Sequence, residues 1–445
     1  MDGILKLNDY DVRRNPALGA HDPSMMWDPV TKRYYSYSTD IYQPQHGLND
    51  RIGIPVRSSG DLIHFNYEGT VLSEKSVAEG KDNGSYSDTV SFWAPYVEYV
   101  NGEYRMYYAA TRAFGSYESR IWLAVAKKPL GPFVNRGIVM DSWGTGSTSP
   151  NAIDPHVIRD RRNCYLVYGS YFGGIYLKKL DDETGLALSG DPKETGICIS
   201  RKAPNGLLNG PEGASVIYVP ETGYYYLFQS YGWLGSNYDV RVGRSPNAEG
   251  PYLDLDGRDL VEESQGIKIA NSYQFKAENP YAVQGENGWS WGGFRAPGHG
   301  VPFWDPATGN YFFVHHIRDG SPSCRRFQRR DSQDNYLEHY LFVRPMLFQE
   351  GWPVLGPEPY TGEDLRMIPA YEVRGRWEIV LLDDDSNEMK YSREYDLDEY
   401  SIYLCKGRIY RCWDFENQKM TVAVTGIDRF GQAYWGKLIA PRKER

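Results

Sequence analysis

Helical periodicity is nearly absent from this chain. Short runs of Val, Ile, Tyr and Phe alternate with Gly, Pro, Asn and Asp turns, which is the pattern of an all-β protein. No apolar run is long enough to span a bilayer, so no membrane partner is expected. Basic charge is also in deficit. The formal net charge is −9, and Lys and Arg are dispersed apart from Arg442-Lys443-Glu444-Arg445, which argues against nucleic acid as a partner. The five cysteines are odd in number and lack metal-ligand spacing, so no disulfide framework is expected. With an N-terminus, Met1-Asp2-Gly3-Ile4-Leu5-Lys6, unlike a signal peptide, this makes a cytoplasmic setting the expectation, with secretion after removal of a leader as the alternative.

Aromatics, by contrast, are abundant: 15% of residues, with 37 Tyr and 12 Trp. Aromatic faces are platforms for the apolar faces of sugar rings, but strands favour aromatics for packing as well. Composition leaves both readings open.

One hairpin recurs along the chain. Gly19-Ala20-His21-Asp22-Pro23-Ser24 leads through a turn into Tyr34-Tyr35-Ser36-Tyr37-Ser38. Trp93-Ala94-Pro95-Tyr96, Ile153-Asp154-Pro155-His156, Glu212-Gly213-Ala214-Ser215 and Gly298-His299-Gly300-Val301 each open a further turn and aromatic strand. Five such units at blade-like spacing predict a radial repeat, a five-bladed β-propeller with four strands per blade. If each copy opens an innermost strand, then Asp22, Trp93, Asp154, Glu212 and His299 converge at one end of the channel. Three carboxylates brought together are costly unless they have a use.

The propeller is expected to occupy residues 1–355, closing near Phe342-Val343-Arg344-Pro345 and Trp352-Pro353-Val354-Leu355. A linker, Gly356-Pro357-Glu358-Pro359, follows. Residues 365–445 change style and predict a small C-terminal β-barrel or sandwich domain, with no acid–base constellation of its own.

Each candidate has a plain structural reading beside the functional one. Asp22-Pro23 and Asp154-Pro155 are also turn formers. Glu212, amid Gly210, Pro211, Gly213 and Ala214, leaves space for a ligand, and partial burial there would raise its pKa toward that of a general acid. Phe172 and Trp93 are packing residues or ligand platforms. His299 is a structural histidine or a ligand. His315-His316 occupy adjacent strand positions, whose side chains face opposite ways, and read as structural.

The ordered set His21-Asp22-Pro23-Ser24, Trp93-Ala94-Pro95, Asn151-Ala152-Ile153-Asp154-Pro155, Glu212 and His299 resembles glycoside hydrolase family 43, and within it the endo-acting α-1,5-L-arabinanases of the larger, two-domain type. The resemblance implies an inverting glycosidase acting on arabinan, with Asp22 as general base, Glu212 as proton donor and Asp154 tuning the acid. It implies subsites lined by Trp93, Phe114, Gly115, Asn151, Ala152, Ile153, Ser170, Tyr171 and Phe172. It also implies an axial cation, usually calcium (Ca2+), held by His299 and waters, and no organic cofactor; imidazole is an unusual calcium ligand on chemical grounds. The rivals are an exo-acting arabinofuranosidase or β-xylosidase on the same fold, and a non-catalytic carbohydrate-binding propeller.

Overall fold

The computed structural model describes residues 11–40, 53–82, 92–112, 115–201, 209–276, 292–319, 339–369, 373–383, 386–398 and 406–441. Phe114, Cys324, Cys405 and the terminal charge run lie outside them. Four antiparallel sheets of four strands come first in sequence. They start with the strands Ser24–Asp28, Phe92–Val100, His156–Arg159 and Glu212–Val219. The fifth sheet has the same four-strand run, Phe294–Trp304, Tyr311–Asp319, His339–Gln349 and Trp352–Leu355. Two short strands, Tyr273–Gln274 and Lys390–Tyr391, extend its inner edge to make six.

Local chemistry sets these hairpins. Asn101 and Gly102 both have positive φ (51° and 77°), the two-residue turn whose twist matches flanking strands. It registers Val100 against Glu103. The one described helix, Glu74–Asp82, starts where the Ser73 hydroxyl accepts the Ser76 N–H at 3.1 Å, a side-chain cap on an otherwise orphaned donor.

The first strands of the sheets lie side by side. Ser24–Asp28 touches both Phe92–Val100 and Phe294–Trp304, and Glu212–Val219 touches both His156–Arg159 and Phe294–Trp304. Between the second and third sheets the Tyr96 and His156 rings meet edge to face at 4.5 Å. The chain start is stitched to the fifth sheet, with Gly19 N–H on His339 O and Leu341 N–H on Ala17 O. The apolar core sits between neighbouring sheets, and many tyrosines span it as struts. Tyr104 donates to Asp28, Tyr34 to Asp305, and Tyr226 to Gly351 O. Those three aromatics serve packing between sheets.

The last sheet has five strands, ordered Arg393–Leu397, Gly375–Leu382, Ala433–Pro441, Lys419–Ile427, Arg408–Asp414. One face packs Trp377, Ile409, Val424 and Tyr434 together. The other brings Val380, Leu382 and Trp435 against Tyr273 and Phe294 of the fifth sheet. The part expected to have no acid–base constellation of its own does carry a buried ion cluster. Buried Lys437 lies 2.7 Å from Glu358 and 2.8 Å from Asp414, and also pairs with Glu416. Three separate stretches of the chain make that cluster, so no local motif announces it.

Candidate active site

The repeat is written in the backbone. Asp22, Ala94, Asp154, Gly213 and His299 all adopt left-handed φ, between 45° and 58°. Four of the five carry a side chain, each held at a cost of about 1–3 kcal/mol. In the second, fourth and fifth sheets the register slips at this point, between Trp93 and Tyr96, Glu212 and Ser215, and Gly298 and Val301. These are bulges, which re-aim side chains at a rim. The expected equivalence of Asp22, Trp93, Asp154, Glu212 and His299 is therefore corrected by one residue in two sheets. Ala94 and Gly213 occupy the left-handed position, while Trp93 and Glu212 precede it, as His21 precedes Asp22.

Asp22, Asp154, Glu212 and His299 nonetheless meet. Asp22 Oδ1 lies 3.0 Å from His299 Nδ1, and Oδ2 accepts the Thr39 hydroxyl at 2.6 Å and lies 2.7 Å from His21 Nδ1. Burial alone would raise the Asp22 pKa, but His21 and His299 hold it well below the usual carboxylate range. Asp154 Oδ2 accepts the Gly213 N–H at 3.0 Å. Burial, and the Asp22 charge, raise its pKa despite His299. Glu212 Oε2 accepts the Ser170 hydroxyl at 2.9 Å. Burial, then the Asp154 charge, push Glu212 up to about 7, against the pull of Tyr238, His299 and Ser170. One carboxylate is thus kept ionised beside a carboxyl kept protonated near neutrality.

The other candidates divide. Ser170 touches Glu212, and Tyr171 donates to Gly232 O at 2.5 Å. Phe172 is 39% exposed and packs edge to face on Tyr117, so its ring is open to a ligand. Trp93 is half-buried, and Gly115 is exposed with φ 77°. Asn151 is buried; its Nδ2 donates to Ser116 O at 3.2 Å, and its Oδ1 lacks a partner among the described residues. Ala152 and Ile153 are buried, Ala152 within the core between the second and third sheets. They shape the Asp154 turn through their backbone.

Sequence reasoning missed Thr39, Ser230 and Tyr238, which reach the site across strand pairings that no local motif records. His316 was read as structural, and that reading is corrected for its contacts: its Nδ1 accepts the Asp22 N–H at 3.2 Å. His315 faces the other way and accepts from Arg344 Nε at 2.9 Å, as strand alternation requires.

Two buried groups bring three potential ligand atoms together among the described residues: His21/His316/His339 and Glu358/Asp414/Glu416. Neither suits a metal. The His21 and His316 rings are parallel within 8° at 4.7 Å, so one ion cannot lie in both ring planes, and Arg318 donates to His339 Nε2 at 3.2 Å. The acidic trio already holds the Lys437 ammonium. His299 belongs to neither group, and its Nδ1 faces Asp22. An all-protein calcium cage of oxygen donors does not fit here; a water-clad cation would need the remaining imidazole nitrogen of His299, whose nearby carboxylates favour the protonated ring despite its burial.

A paired carboxylate and carboxylic acid is the equipment of glycoside hydrolysis. The family profile for glycosyl hydrolases family 43 matches residues 14–353. An extracellular endo-alpha-(1->5)-L-arabinanase of Thermotoga petrophila is 30% identical over 94% of this chain and 93% of its own length. Extracellular endo-alpha-(1->5)-L-arabinanase 2 of Bacillus subtilis is 29% identical over 94% of this chain and 92% of its own. The crystal structure of the Thermotoga petrophila endo-1,5-alpha-L-arabinanase superposes with a TM-score of 0.76 at 25% identity, covering 95% of this chain and 99% of that one. The chain belongs to glycosyl hydrolases family 43 and is a glycosidase. That these relatives are extracellular overturns the cytoplasmic expectation. The described cysteines, Cys164, Cys198 and Cys412, are free thiols; a large core needs no disulfide for stability, so cysteine usage was a weak guide to compartment.

Proposed function

We propose that this chain is an endo-acting α-1,5-L-arabinanase working with inversion. Its sheets would form a five-bladed β-propeller over residues 1–355, with a C-terminal β-domain over 365–445. The observation that carries the chemistry is the opposite protonation of two neighbouring carboxyls, Asp22 held low and Glu212 raised to about 7. Asp22 takes a proton from water as that water attacks the anomeric carbon. Glu212 delivers its proton to the glycosidic oxygen as the bond to carbon breaks, and no covalent intermediate forms. Asp154 keeps the acid protonated, since like charges disfavour joint ionisation. Phe172 and Trp93 would offer faces to the furanose rings. A calcium ion would take His299 as protein ligand with water completing its shell, adding positive charge near the carboxylates.

Endo action is supported by two relatives with that printed activity matching almost the whole chain. The test is product sizing on linear, debranched arabinan. Endo cleavage yields a ladder of oligosaccharides from the first minutes, exo cleavage yields one short product throughout, and a binding module yields none. The same assay after chelation tests the ion: unchanged turnover would remove calcium from the proposal.

A further inference from the structure

The left-handed residues at the ring centre share a second device. In three sheets the strained N–H is accepted by a side chain from the second strand of the preceding sheet or from just beyond its end. Thr39 Oγ1 accepts from Ala94 at 2.9 Å, Ser230 Oγ from His299 at 3.0 Å, and His316 Nδ1 from Asp22 at 3.2 Å. The three acceptors occupy one register. Thr39 N–H bonds to His21 O, Ser230 pairs with Glu212, and His316 pairs with Gly298, each opposite the residue before a left-handed position. The same register holds Ala109 in the second sheet, opposite Trp93, where no side-chain acceptor is available.

His316 closes this ring, and it alone of the three has an aromatic face. That face stacks on His21 (4.7 Å, 8°) and on Tyr238 (5.7 Å, 11°). The Tyr238 side chain in turn lies beside Glu212, where it favours the ionised carboxylate. Gly298 makes the room: a Cβ there would fall 1.9 Å from the Tyr238 ring. One buried ring therefore touches the backbone of the residue read as the base and the tyrosine beside the residue read as the acid. It is fully buried, so it does not meet substrate.

We propose that His316 is a positioning residue that fixes Asp22 and Glu212 relative to each other, its Nδ1 holding the strained Asp22 backbone and its ring face holding Tyr238 against Glu212. The inference rests on the base and acid roles proposed above. An inverting site must admit one water between base and anomeric carbon, and a shift of about 1 Å in such a pair costs on the order of 100-fold in rate.

The two arms separate by substitution. His316→Phe keeps a stacking ring and removes the acceptor; His316→Asn keeps an acceptor near the Nδ1 position and removes the ring. Each variant is assayed on a linear arabino-oligosaccharide and on an aryl arabino-oligoside whose leaving group needs no proton, alongside its thermal midpoint. His316→Phe should lose about tenfold or more in kcat on both substrates, with KM held within about twofold. His316→Asn should lose kcat on the oligosaccharide and recover much of it on the aryl substrate. Should either variant fail to fold, Tyr238→Phe, which keeps the stack, must show the same leaving-group dependence. Folded variants with wild-type kcat on both substrates would overturn the proposal, as would equal losses by both variants on both substrates. Asp22→Asn and Glu212→Gln serve as controls. If they stay active, the base and acid reading fails; if they are inactive while the His316 variants are not, only the positioning role fails.

Discussion

Asp22, Asp154 and Glu212 meet at the ring centre, and Glu358, Asp414 and Glu416 meet beneath the C-terminal sheet. Both are buried trios of carboxylates. The second closes around one lysine, whose three N–H donors face three carboxylates at hydrogen-bond distance, with the Phe275 ring 4.2 Å from the ammonium. Each acid faces its own N–H donor, and because one positive charge serves three acids, burial and the Glu416 charge push Glu358 well up while Asp414, despite burial, is held down by Lys437. The linker residue Glu358 is thereby tied to two strands of the last sheet. The first trio has no such partner among the described residues. Histidines, hydroxyls and one backbone N–H share it unevenly, so Asp22 is held ionised while Asp154 and Glu212 resist ionisation. Both trios spread their proton affinities. The matched one, closed around its own ammonium, holds structure; the unmatched one has its split carboxyls beside histidines and hydroxyls, which is what acid–base chemistry needs.

The sharpest way to break that contrast is at the unmatched trio. Asp22→Asn and Glu212→Gln should each lower kcat on unactivated arabinan by about 100- to 10,000-fold and leave the fold intact. An aryl leaving group departs with little protonation, so the Glu212 variant should recover there and the Asp22 variant should not. Equal losses on both substrates would dissolve the division of labour.

At the matched trio the expected effect is on stability. Lys437→Met leaves three carboxylates buried without their cation, and should cost about 3–5 kcal/mol in denaturant unfolding. Turnover by the fraction that stays folded should be unchanged, since the cluster serves docking. Lost kcat at full stability would show instead that the C-terminal sheet acts on the chemistry.

What could be read from the sequence follows from how far each feature depends on neighbours in the chain. The hairpins were legible because turn residues such as Asn101-Gly102 act within two positions. The meeting of Asp22, Asp154 and Glu212 was legible because the repeat itself brings strand starts together. The one-residue offset of Glu212 was hidden, because left-handed φ belongs to the backbone, and Ala94 and Gly213 carry no polar side chain to mark it. Thr39, Tyr238 and His316 were hidden for another reason: their roles exist only across strand pairings or between sheets, far apart along the chain. Lys437 and Glu358 share no motif at all. The tyrosines, which on composition could have been sugar platforms or strand packing, turn out at Tyr34, Tyr104 and Tyr226 to be struts between sheets.

The smallest effect sharpens the contrast from the side of pH. Burial, with Asp154 adding to it, moves the Glu212 carboxyl from its ordinary 4.5 to about 7 in the folded chain. Below the ordinary value the carboxyl is protonated in both folded and unfolded chains, and its contribution to stability is fully present. Between the two values the unfolded chain releases the proton while the folded chain keeps it, so the unfolded state gains and stability falls as pH rises. Above the folded value the deficit is complete. Glu212→Gln removes the ionisation and keeps a polar group of the same shape. Its stability relative to the parent should therefore be near zero at low pH, climb through the interval, and level off on the order of 3 kcal/mol above it. Denaturant unfolding of both proteins across the interval measures the difference. A flat difference would mean that Glu212 is ionised as readily in the folded chain as in water, and the unmatched trio would then contain no general acid.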